Sequence, residues 1–90
     1  MTRYQNVLVN IDRMVCLLEV GEANEWAKSL RSVSRLKESD AKILYNTVLG
    51  MYGGVGSLND VVLYSGGKVL IAESNEFDML RSELYDLCFG

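Results

Sequence analysis

The sequence predicts an α-rich α+β domain built from three N-terminal helices, a short two-stranded β-hairpin and a C-terminal helix. Three observations carry this. The 90 residues contain no proline, which removes the strongest helix breaker. Apolar residues recur at spacings of three and four over most of the chain, the period of one buried helix face. That period breaks once, at a short β-branched stretch folded around Gly66-Gly67.

The first helix is predicted from about Arg3 to Val20, with Val7, Leu8, Ile11, Met14, Val15 and Leu18 on its inner face and Gly21 as its stop. A second, from about Glu22 to Leu36, turns Ala23, Trp26, Leu30 and Val33 inward and leaves Glu25, Lys28, Arg31 and Arg35 wet; Trp26 is expected to anchor the core between these two helices. Ser39 is the expected N-cap of the third helix, with Asp40 in the first turn, where the helix dipole favours a carboxylate. That helix presents Ile43, Leu44, Thr47, Val48 and Met51. The runs Val61–Tyr64 and Lys68–Ile71 then read as the two strands of the hairpin. An isolated hairpin is barely stable, so it must lie on the helices or add its edge to something else. The closing helix opens at Ser74 or Asn75, with Glu76 and Asp78 in its first turn and Phe77, Leu80, Leu84 and Leu87 as a narrow apolar stripe.

One domain, residues 1–90, is the natural reading, since a typical unit has about 100 to 150 residues. A chain this short buries only roughly 60 to 65% of its unfolded surface. Its 49% apolar content is still enough for one core. The formal charge of −3 argues against a nucleic-acid partner, which calls for a basic face. The charge is also uneven. Five basic residues between Lys28 and Lys42 face only Glu38 and Asp40, whereas six acids between Asp60 and Gly90 face only Lys68 and Arg81. Such a dipole can steer a charged partner; the same pattern also serves as solvated helix faces that keep a small protein soluble. Cys16 and Cys88 are expected to be buried, reduced small hydrophobes, and a polar N-terminus with no apolar run of about 18 residues points to a cytoplasmic chain with no membrane span.

Histidine is absent, and with it the commonest general base and metal ligand. Two distant cysteines do not make a zinc site, and carboxylate pairs such as Glu73 with Glu76 or Glu83 with Asp86 read as solvated charges. No catalytic residue, metal or cofactor is therefore expected. The stretch Gly53-Gly54-Val55-Gly56-Ser57-Leu58-Asn59-Asp60 looks like a phosphate cradle but lacks the lysine of a P-loop and runs from helix to strand, the reverse of a dinucleotide fingerprint. It reads as a structural corner: Gly53 or Gly54 left-handed, Gly56 turning the chain, and Ser57, Asn59 or Asp60 bonding nearby amides.

The run Tyr52–Leu63, preceded by Asn24-Glu25-Trp26-Ala27 with Leu30 and followed by Asn75-Glu76 and Leu80-Arg81-Ser82-Glu83-Leu84-Tyr85, resembles a family of small uncharacterised bacterial proteins. They share a Trp-bearing helix, an aromatic-Gly-Gly-x-Gly-Ser-x-Asn-Asp corner, a short hairpin and a closing helix. They are similar to the immunity proteins encoded beside polymorphic or contact-dependent growth inhibition toxins. The resemblance implies a non-enzymatic protein that binds a cognate toxin, such as a basic nuclease, and covers its active site. The contacts it would use are Asp60, Glu73, Glu76, Asp78, Glu83 and Asp86, with Tyr52, Tyr64 and Tyr85 as aromatic anchors. The alternative is a small regulatory or adaptor protein, a monomer when free or a weak homodimer through the hairpin edge or the last helix.

Overall fold

The computed structural model describes residues 1–53 and 56–90. Four α-helices, two 3-10 turns and one hairpin follow in order: α1 (Arg3–Val20), α2 (Asn24–Ser34), a 3-10 turn (Glu38–Asp40), α3 (Ala41–Leu49), a second 3-10 turn (Leu58–Asp60), β1 (Tyr64–Ser65), β2 (Lys68–Val69) and α4 (Ile71–Phe89). Gly54 of the predicted corner, with Val55, lies outside the described residues.

α1 begins on a capping box, with Thr2 Oγ1 accepting from Gln5 N–H and Gln5 Oε1 accepting from Thr2 N–H. Its inner face, Val7, Ile11, Met14, Val15 and Leu18, is fully buried against α2 and α4. Cys16 is exposed rather than buried: it lies nine residues from Val7, two and a half turns, and so on the opposite side of the helix. Cys88 is buried as expected.

The end of α1 is a Schellman motif, with Ala23 N–H bonded to Leu18 O and Glu22 N–H to Glu19 O. The left-handed residue is Glu22, at φ 62, and not Gly21, at φ −87. Gly21 is needed for a different reason: a Cβ there would stand 2.6 Å from Leu63 Cβ and 2.7 Å from its Cδ2. The hairpin is thus laid directly on the end of α1, and Tyr64 N–H donates to Gly21 O at 3.4 Å.

The turn after α1 moves the start of α2 to Asn24, with Ala23 at its N-cap supplying no side-chain acceptor. Trp26 is half-buried: it packs against the core and also lines the groove beside the corner, so it is not sealed between α1 and α2. The 3-10 turn at Glu38–Asp40 resets the phase of α3. Leu44 and Val48 are buried, whereas Ile43 and Thr47, expected inside, face solvent, and Thr47 Oγ1 donates back to Ile43 O.

The strands are shorter than predicted, two residues each, with Tyr64 opposite Val69 and Ser65 opposite Lys68 around Gly66 and Gly67, whose φ values of 58 and 80 make the twisted two-residue turn that hairpins favour. Leu63 is the one fully buried side chain of this region, and its N–H donates to Ser74 Oγ. That bond explains why Ser74 is not the N-cap of α4. With its hydroxyl committed to the hairpin, the helix starts earlier, at Ile71. Phe77, Leu84 and Cys88 of α4 are buried, with Leu80 and Leu87 partly so. No helix among the described residues is long and apolar enough to cross a membrane.

Candidate functional site

Three polar ties hold α4 against the rest and shape its surface. Arg3 of α1 donates from Nε and Nη2 to Leu87 O and Cys88 O, the open carbonyls at the end of α4, while its guanidinium lies 4.2 Å above the Tyr45 ring. Asn10, 4% exposed, donates from Nδ2 to Leu80 O, and its Oδ1 has no partner among the described residues. Arg13 forms a two-pronged pair with Glu76 at 2.6 and 2.9 Å.

A fourth contact of α4 builds a cleft. Arg81 stands four residues after Phe77 and three before Leu84, so its side chain comes off the core-facing side of the helix. Its Nη1 donates to Asn59 O at 2.9 Å, and its Nη2 pairs with Asp78 at 3.0 Å. In the other direction Tyr52 donates its hydroxyl to Arg81 O at 2.7 Å. These bonds clamp the corner to α4 and enclose a cleft of about 250 Å³ among Tyr52, Asn59, Arg81, Ser82, Tyr85 and Asp86. Burial pushes the Tyr52 phenol well above its usual pKa, so it stays a neutral donor. At the rim Tyr85 meets Tyr52 edge-on, with centroids 5.1 Å apart, and stacks on Phe89 at 5.8 Å. Phe89 is 72% exposed and Tyr85 39%, an aromatic ledge beside Asp86.

The corner closes on itself. Gly53 and Gly56 have φ values of 90 and 78, Ser57 Oγ accepts from Asn59 N–H at 3.2 Å, and Asp60 Oδ2 accepts from Gly56 N–H at 2.6 Å. The Ser57 and Asp60 side chains are thus occupied by the loop's own backbone, while Asn59 lines the cleft.

The nine predicted contact residues do not form one surface. Tyr52, Tyr85 and Asp86 share the cleft. Glu76 is tied to Arg13, whose hydrogen bond and charge hold its carboxyl below the usual range, and Asp78 is tied to Arg81. Asp60 lies in the groove on the other side of the corner, and Glu83 in one between α1 and α4. Tyr64 is exposed on the hairpin, and Glu73 sits in the first turn of α4. Arg81, Phe89 and Asn10 were not among the predicted site residues. Arg81 had a signal, a charge on the apolar stripe between Phe77 and Leu84. Asn10, among Val7, Ile11 and Met14, had a related signal, a neutral polar side chain on the apolar stripe. Among the described residues no group of three or more His, Cys, Asp or Glu is placed to hold a metal ion.

A family model described as a domain of unknown function (DUF6966) matches residues 19–71, more than half of the chain. No curated protein and no solved structure matches. The chain belongs to the DUF6966 family. The matched stretch runs from the last turn of α1 to the first residue of α4 and contains Gly21, Trp26, the corner and the hairpin; the aromatic ledge and all the carboxylates of α4 lie beyond it.

Proposed function

We propose that this member of the DUF6966 family is a non-catalytic protein-binding domain that acts in the cytoplasm as an immunity protein, occluding the active site of a cognate toxin. The carrying observation is the ledge at the end of α4. Two stacked aromatic rings, one of them largely exposed, sit beside Asp86 and above a cleft in which Tyr52 and Arg81 are tied to backbone carbonyls. Exposed rings with little entropy to lose are the anchors that dominate interface energy, and neighbouring carboxylates speed the approach of a basic partner.

A catalytic reading has less to work with. Arg81 and Tyr52 hold the corner to α4 and are committed to that task, and a pocket enzyme needs a group poised near neutrality. Pairing of two copies through the hairpin edge is also poorly supported: each strand has two residues, and Tyr64 N–H is already given to Gly21. The test is co-expression with the product of the neighbouring gene. Co-purification and loss of that protein's toxicity are expected, with both weakened by Phe89→Ser. A neighbour that encodes no toxin domain, or an inhibition untouched by changes at Tyr85 and Phe89, overturns the reading.

A further inference from the structure

A second surface lies on the opposite side of the corner. Between the first turn of α2 and the stretch leading into β1 runs an open groove of about 260 Å³, lined by Ala23, Trp26, Ser57, Asp60, Val61 and Val62. Its lining is more apolar than polar, and Trp26 in it is half-buried, packed against the core.

The apolar surface does not stop at Val62. Backbone alternation turns Leu63 into the core, which leaves Val62 and Tyr64 on the same outer side, and Val69 stands directly across from Tyr64. These three are 46, 46 and 48% exposed. A strip therefore runs from Trp26 over Val62 to the Tyr64–Val69 pair. Carboxylates border it: Asp60 within the groove, Glu25 in the first turn of α2, and Glu22, whose Oε2 accepts from Gly66 N–H at the hairpin turn. Lys68 is the one cation on the hairpin.

We propose that this groove and hairpin face dock a segment of another protein that presents Arg or Lys beside one or two large apolar side chains. The charge selects the occupant. Phosphates are repelled by the three carboxylates, and a second copy would bring the same acidic strip against itself across a two-fold axis. The strip is also far smaller than the roughly 800 Å² per partner that a stable interface of standard size buries. A short segment with one apolar anchor and flanking cations fits both its size and its charge. Every residue of the groove and hairpin lies within residues 19–71, the stretch that the family model matches, whereas the ledge on α4 lies outside it. The two surfaces are independent, and docking here does not require the partner to be a toxin.

The chain has a single tryptophan, and it is in the groove, so its fluorescence reads occupancy directly. Random peptides of about 12 residues displayed on phage, selected on the folded domain, supply the probe. Enriched sequences should pair Arg or Lys with a large apolar residue. As synthetic peptides they should shift Trp26 emission to the blue, and bind more weakly as sodium chloride rises from about 50 to about 500 mM. Val62→Arg, at an exposed position, should keep the helical circular dichroism and weaken them about tenfold or more; Tyr64→Ser provides the same test should Val62→Arg fail to fold. No enrichment, acidic winners, or winners that bind both variants as well as the original chain overturn the proposal. So does concentration-dependent dimerisation that Val62→Arg abolishes, which would assign the strip to a second copy.

Discussion

Gly21→Ala is the substitution whose sign separates two explanations of the same glycine. At φ −87 and ψ 11, Gly21 has a backbone that alanine adopts without strain. Were conformation its only role, the alanine would narrow the unfolded ensemble and stabilise the domain by about 0.4 to 1 kcal/mol. The packing says the reverse. The new Cβ meets Leu63 Cβ at 2.6 Å, Cδ2 at 2.7 Å and Cγ at 3.0 Å. Carbon atoms rest at about 3.5 to 4.0 Å, so Leu63 must retreat by roughly 1 Å. It has little freedom to do so: it is fully buried, its N–H is bonded to Ser74 Oγ at 3.2 Å and its carbonyl to Leu70 N–H at 2.8 Å. Overpacking of this kind costs about 1 to 3 kcal/mol, a large part of the stability of a small domain. For this chain length that is a fall in Tm of roughly 5 to 20 °C, read by thermal unfolding followed by circular dichroism. An unchanged or raised Tm refutes the packing argument and returns Gly21 to an ordinary helix end.

Arg3→Ala removes the donors that close the end of α4 and the cation above Tyr45; a loss of about 1 to 2 kcal/mol is expected in urea unfolding, with Arg3→Lys recovering only part of it. The Arg13 hydrogen bond and charge lower the pKa of Glu76, so this pair stabilises the fold above the ordinary carboxylate range and the contribution disappears as pH falls through the lowered value. Glu76→Gln should therefore flatten the drop of Tm between about pH 7 and about pH 3, most visibly at low salt. Cys16 is exposed, whereas burial raises Cys88 to about 11. Iodoacetamide should accordingly label one site in the folded chain and a second only in denaturant, with mass spectrometry placing the first label on Cys16.

The order and type of the elements were legible because the helices carry their signal in spacing, as in Val7, Ile11, Met14 and Leu18. What spacing could not show was where one element's groups are used by another. Ser74 reads as a helix cap, but its hydroxyl serves Leu63, and the helix begins three residues earlier. Gly21 reads as a left-handed stop, yet Glu22 takes that conformation and Gly21 makes room for the hairpin. Ile43 faces outward because the 3-10 turn before α3 shifts its phase, and that turn has no periodic signature. The candidate site was legible as a set of residue types and not as a place. The carboxylates were visible, but their engagement by Arg13 and Arg81 depends on contacts across more than 60 residues in one case and on a single turn of helix in the other.

The clasp of Arg3 on the carbonyls of Leu87 and Cys88 has a consequence for how the molecule is made. α1 emerges from the ribosome first and α4 last, and each supplies a wall of the same core. At roughly 5 to 20 residues per second, the inner face of α1 waits on the order of ten seconds for its partner. α2 can shelter part of that face meanwhile, but the rest is covered only when α4 follows. Until α4 follows, part of the apolar face of α1 stays open to chaperones and to other nascent chains, so the sequence order of the helices sets how long the growing chain is exposed to misassociation.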